Sequence, residues 1–320
     1  MFSKHPKGLI AAALANMGER FGFYIMMAIL TLFISAKFGL SETTTGYIYS
    51  AFYASIYILA LAGGVIADKT KNFKGTILVG LILMAIGYLI IAIPTPTPVP
   101  SMALYLGLTC FGLLVIAFGN GLFKGNLQAL VGQMYDDPKY SNLRDAGFQI
   151  FYMFINIGAV FAPFIAIGVR NWWLKVNNFD YDATLPELCH QYLEKGNDMA
   201  PQAMENLTTL AKSVVLDGTP VTDMGMFVNN YLDVFNRGFQ YAFMAAIGAM
   251  LVSLIIYMAN KKRFPDPATK LETSKGTATV NKEEIQMSAT EIKQRIYALF
   301  AVIRCCYFLS GYLSTRMVIL

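Results

Sequence analysis

Two neighbouring charges, Glu19 and Arg20, fall in the middle of an apolar run, AAALANMGERFGFYIMMAILTLFI. A third, Lys124, falls inside another, LLVIAFGNGLFKGNLQALVG. A charged side chain at bilayer depth costs about 2.5–3.5 kcal/mol even on lenient insertion scales. Such groups face a bundle interior or a watery cavity and mark the path of a solute, an ion or a proton. On a helix, Asn16, Arg20, Phe23 or Tyr24, and Met27 share one face, with Glu19 beside it. The planar fork of Arg20 suits a carboxylate, either that of Glu19 or that of a ligand. Lys124 sits in GNGLFKGN, where glycines let a neighbour or a ligand approach. Its ammonium requires a counter-charge, for which Glu19 or a ligand carboxylate qualifies. Asn156, in FQIFYMFINIGAVFAP, is an amide in an apolar segment, and burial of such a group is costly unless it is hydrogen-bonded. It is expected to bond either another helix or a ligand.

The elements that must position these residues are membrane spans. Hydrophobic residues make up 56% of the 320 and charged residues 14%, the composition of a polytopic, all-α membrane protein. A bilayer crossing needs about 20 apolar residues. Six stretches qualify, near 9–36, 44–67, 75–95, 101–134, 146–170 and 237–260, and a seventh begins near Ile296. The fourth is long enough to tilt or to extend beyond the bilayer. The first is too long for a signal peptide and has no clear cleavage site.

Lysine and arginine in the loops set the orientation. One set of loops carries fifteen, from Lys4 and Lys7 through Lys69, Lys71, Lys74, Lys139 and Arg144 to eight between Lys261 and Arg295. The opposite set carries four, Lys37, Lys175, Lys195 and Lys212. The N-terminus is therefore expected in the cytoplasm, with 261–295 as a cytoplasmic linker and 171–236 as an acidic extracytoplasmic loop or cap. The net charge of +5 reflects this partition and is no nucleic-acid signal. Four cysteines and two distant histidines form neither a disulfide framework nor a metal spacing. The loops carry no nucleophile triad, metal motif or phosphate loop, so no enzyme is expected.

A basic linker after six spans is similar to the organisation of the major facilitator class. The stretch GGVIADKTKNFKG, from Gly63 to Gly75, resembles the intracellular latch of that class, with Gly63 and Gly64 allowing helix contact and Asp68 closing a helix end. GERFGFY at 18–24, GLFKGNLQALVG at 121–132 and FYMFINIGA at 151–159 together resemble the first, fourth and fifth helices of the proton-dependent oligopeptide transporter family. Tyr57 falls where that family has a second-helix tyrosine. The likeness covers nearly all of residues 1–165. It implies a six-helix N-terminal bundle of a major facilitator fold and the start of a seventh helix. It implies import of di- and tripeptides with protons, by alternating access, and no cofactor besides the coupling proton. It further implies that Arg20 and Lys124 act on the peptide carboxylate and the proton site, with Glu19 in the coupling group. Asn156 would hold the peptide backbone, and Tyr24 and Tyr57 would line the cavity. The partners expected are small peptides and the lipid bilayer, in a bacterial inner membrane.

Three positions depart from the family pattern. Asn16 stands where the family has a glutamate, Phe23 where it often has a tyrosine, and Met27 where it often has an arginine. Asn16 cannot take up a proton, which leaves Glu19 as the carboxylate of this helix. A transporter of the same family with another substrate and altered coupling is the alternative reading. The end of the chain suggests a further one. Two arginines, Arg304 and Arg316, fall within the seventh stretch. Codons permitted for GYLSTRMV at 311–318, read two bases later, can spell Ile-Ser-Phe-His-Gln-Asn-Gly, which resembles the seventh helix of the family. A shift of frame near Val302 that truncates a longer transporter is therefore expected, in which case this chain is an inactive membrane remnant.

Overall fold

A computed structural model describes residues 4–265 and the isolated positions 294 and 297. The seventh span and the shift of frame, at 296–320, fall outside the described residues apart from position 297, and so does the linker beyond Pro265 apart from position 294. Eight α-helices occur among the described residues: α1 Gly8–Phe38, α2 Glu42–Thr70, α3 Phe73–Ile91, α4 Met102–Gln133, α5 Arg144–Val176, α6 Leu185–Lys195, α7 Pro201–Val214 and α8 Met224–Asn260. Six of them are long and apolar enough to cross a membrane; α6 and α7 are not.

Local chemistry sets their ends. Gly39, left-handed at φ 64°, closes α1 by donating its N–H to Ser35 O at 2.8 Å. Ser41 caps α2 by accepting from Thr44 N, and Asn72 caps α3 by accepting from Gly75 N. Helix α3 stops at Ile91, short of the expected residue 95, because Pro94, Pro96 and Pro98 follow and cannot continue it. The largest difference from the sequence reading lies in α8, which starts at Met224 rather than near residue 237. Polar residues such as Asn229, Asn230 and Asp233 hide the apolar pattern there, but Phe227, Tyr231 and Phe235 recur every fourth residue and are buried. Helix α5 also runs past residue 170 to Val176, so the segment between α5 and α8 is 177–223.

Helix α1 is the inner post of the bundle, packed on α8 and α5, while α2 packs on α4 and α3 packs on α4 and α8. Water cannot drive helices together in a bilayer, so close backbone approach at small residues does this work. Gly80 of α3 meets Gly119 of α4 so closely that a Cβ on either would lie 2.7 Å from the other's carbonyl oxygen. Gly63 of α2 abuts the Gly121 carbonyl of α4 more closely still. Asn126 seals that seam by donating Nδ2 to Gly63 O at 3.2 Å and to Leu122 O at 2.8 Å.

The segment between α5 and α8 is a small helical cap. Asp182 Oδ1 accepts from Thr184 N and Leu185 N at the start of α6. A single bridge pairs Phe179 with Val215. His190 of α6 donates Nε2–H to Ala36 O at 2.7 Å, which ties the cap to the end of α1.

Candidate functional site

Glu19 and Arg20 lie midway along α1, 0% and 5% exposed. Adjacent helical residues diverge by about 100°, so the pair forms only because both long side chains bend toward one another. The contact is bidentate, with Arg20 Nε donating to Glu19 Oε2 at 2.5 Å and Nη2 to Oε1 at 2.6 Å. Phe23, one turn on, lies 4.7 Å beneath the guanidinium carbon. A charge pair this deep is tolerable only when further hydrogen bonds satisfy it.

That further bond comes from α4, where Asn120 Nδ2 donates to Glu19 Oε1 at 3.1 Å. Gly119 and Gly121 flank Asn120, and their contacts with α3 and α2 bring the α4 backbone close enough for so short a side chain to reach. Tyr88 of α3 is wholly buried and within electrostatic reach of both charges. Its hydroxyl and Asn120 Oδ1 make no hydrogen bond among the described residues.

Lys124 is one turn beyond Asn120 on α4. Of the two counter-charges open to it, Glu19 or a ligand carboxylate, Glu19 is not in direct contact with it. Glu19 is engaged by Arg20 and Asn120, and among the described residues Lys124 makes no salt bridge or hydrogen bond. It is half-buried, within electrostatic reach of the pair, and its Nζ stands 5.7 Å from the centroid of the Tyr57 ring. Tyr57 is 54% exposed and ends a ladder on α2, with its hydroxyl 3.1 Å from that of Tyr53 and the Tyr53 ring stacked on Tyr49. Tyr24 is half-buried with its ring edge-on to Phe23.

The other expected residues divide. Asn156 is exposed on α5, in a shallow depression with Gln149, Tyr152 and Met153, and makes no hydrogen bond to another helix among the described residues. Gly63 is buried in the α2–α4 seam, whereas Gly64 faces open space and Asp68 is exposed. Of the departures from the family pattern, Asn16 and Phe23 are buried and Met27 is half-buried. No group of three metal-ligating side chains occurs among the described residues. The sequence reading missed Asn120 and Tyr88. The available signal for Asn120 was an amide between glycines, one turn before Lys124; nothing distinguished Tyr88 from a lipid-facing tyrosine.

Six helices long and apolar enough to cross a membrane thus hold a buried ion pair beside a half-buried cation. The model of the POT family matches residues 74–296, and the chain belongs to that family, which is one of transporters and not an enzyme class. Among curated proteins it is similar to the dipeptide and tripeptide permease A of Cronobacter turicensis, 35% identical over 161 residues, and to permease B of Xenorhabdus bovienii, 36% identical over 167. Those alignments cover 50% of this chain and 30% and 32% of the relatives. Among solved structures it resembles the peptide transporter POT in complex with sulfate, at TM-score 0.53 and 22% identity. It also resembles a POT family transporter in complex with 5-aminolevulinic acid, at TM-score 0.54 and 24% identity. These cover 95% and 96% of this chain and 47% and 48% of the solved chains. The chain thus spans about half the length of the transporters whose fold it shares.

Proposed function

We propose that the chain belongs to a proton-coupled importer of di- and tripeptides that works by alternating access across a bacterial inner membrane, with its N-terminus in the cytoplasm. The observation that carries this reading is Lys124, a cation within a span that faces an aromatic ring and, among the described residues, forms no ion pair. A ligand carboxylate supplies the missing charge. Arg20 can follow it, exchanging Glu19 for the ligand and leaving Glu19 to take a proton. Tyr24 and Tyr57 line the wall, Asn156 offers an amide to the peptide backbone, and Gly63, Gly64 and Asp68 form the cytoplasmic latch. Family membership and the names of the permease relatives support peptide as the cargo. No cofactor other than the proton enters this scheme.

Asn16 favours a second reading, that of a family member with another substrate and altered coupling. It is buried on α1, one turn before Arg20, and cannot hold a proton. Dipeptide uptake at acidic and neutral pH separates the two. It is measured in cells expressing this chain and, in parallel, a version with the frame after Val302 restored. Acid-stimulated uptake that unlabelled dipeptides compete for supports the peptide importer. Membrane-inserted protein without uptake in either version overturns it and makes Phe23 and Met27 the positions to revert.

A further inference from the structure

Behind the ion pair lies an asymmetry that pairing alone does not explain. Asn120 spends its amide N–H on Glu19 Oε1 while its own carbonyl oxygen, buried a bond away, accepts nothing. Buried polar atoms are nearly always partnered, so an unpartnered one beside a functional carboxylate calls for a reason. A side-chain amide has a donor face and an acceptor face, exchanged by a half-turn about its last bond. An ionised carboxylate only accepts, whereas a protonated one also donates. We propose that Asn120 is a positioning residue that serves Glu19 in both protonation states. Nδ2–H donates to the carboxylate while Arg20 holds it. When Arg20 leaves for a ligand, Glu19 takes a proton from cavity water onto Oε1, and that O–H donates to the Asn120 carbonyl. The proton later returns to water on the opposite side, Asn120 turns back, and Arg20 re-forms the pair. Tyr88, also donor and acceptor, adds a second adaptable group on the α3 side.

The surroundings of Glu19 leave this role to Asn120. On α1 itself stand Arg20 and Tyr24, α2 brings Tyr53 and Tyr57, α3 brings Tyr88, and α4 brings Asn120 and Lys124. Helix α8 meets this stretch of α1 with Ala246, Ala249, Met250 and Ser253, whose hydroxyl is already donated to Ala15 O. Helix α5 meets it at Gly158. Among the described residues no second carboxylate is present to share the proton. The inference rests on the reading of Glu19 as the coupling carboxylate.

The test is infrared difference spectroscopy of the purified chain in lipid with a saturating dipeptide, between neutral and acidic pH. The carboxylic-acid C=O band that vanishes in Glu19→Gln belongs to Glu19. In Asn120→Leu that band should move to higher wavenumber as its hydrogen bond is lost. The near-isosteric Asn120→Asp, which keeps the volume, should displace it too, while Asn126→Asp in the neighbouring seam should not. A Glu19 band unmoved by both Asn120 variants overturns the proposal, and so does the absence of any Glu19 band at acidic pH. Peptide uptake is scored separately, so a chain that transports peptide with an unresponsive Glu19 refutes this role alone.

Discussion

Arg20 and Lys124 are both cations within spans of one bundle, yet they are held in opposite ways. Arg20 is sealed by a bidentate carboxylate and an aromatic ring, and its carboxylate is satisfied from a second helix. Lys124 is half-buried, with its ammonium over a tyrosine ring. The sealed pair has already met the cost of its burial within the protein. The open cation has not, and a cation in that state attracts an anion. The contrast separates a charge whose burial is met within the fold from one whose burial is not, the one proposed above to take a ligand carboxylate.

The contrast is broken most severely at Glu19. Glu19→Gln leaves the Arg20 guanidinium buried without its counter-charge, a change that costs about 3–5 kcal/mol in buried pairs. Lys124→Met removes a charge that has no ion-pair partner and should cost less than about 1 kcal/mol. Thermal unfolding of the two variants in the same detergent compares them directly. Equal destabilisation would mean that Lys124 is part of the structural network after all. The glycines of α2 give a second contrast of the same kind, a single residue from severe to neutral. A Cβ at Gly63 drives into the backbone of α4, and Gly63→Ala should cost about 1–3 kcal/mol. Gly64→Ala meets open space and should stay within about 0.5 kcal/mol. Similar losses at both positions would remove the α2–α4 seam as the support of Asn120.

The offered charge is sharpened by a ligand measurement. Lys124→Gln should weaken binding of a dipeptide with a free C-terminus by about tenfold, roughly 1.4 kcal/mol. Binding of the C-terminally amidated peptide should hardly change. Calorimetry with both peptides reads the difference. An equal loss for both would assign Lys124 to the wall in general and not to the carboxylate.

How much of this was legible in the sequence follows from what each residue depends on. The spans could be read because apolar length is a local property, and the Glu19–Arg20 pair because charge within an apolar run is conspicuous in one segment. The partner of Lys124 could not be read. Asn120 reaches Glu19 only because Gly80, Gly119, Gly63 and Gly121 bring three backbones together, and that depends on three segments at once. The start of α8 was masked because its buried stripe of Phe227, Tyr231 and Phe235 serves the cap and not the lipid, so its polar face is not excluded. The exposure of Asn156 also depends on which side of α5 meets α1, and Gly158 decides that by its contact with the Met17 carbonyl.

The smallest effect lies in the cap, where a single histidine joins it to the sealed side of the bundle. His190 donates Nε2–H to Ala36 O at the end of α1, and burial lowers its pKa from the ordinary value. The folded state therefore favours the neutral ring, and the unfolded chain binds a proton first as pH falls below about 6.5. The contribution of His190 is fully present above that pH and is lost as pH falls through the lower, folded-state value. Protection of the amides across 177–223, measured against intrinsic exchange at each pH, should accordingly fall on acidification before that of the spans, since local opening needs less free energy than global unfolding. His190→Gln, which keeps a donor but cannot titrate, should flatten that response while leaving the exchange of α1 unchanged. An unchanged acid response in this variant would place the sensitivity in the cap carboxylates. Asp217 is the first of these to examine, because bonds from Thr219 hold its carboxyl below the usual range.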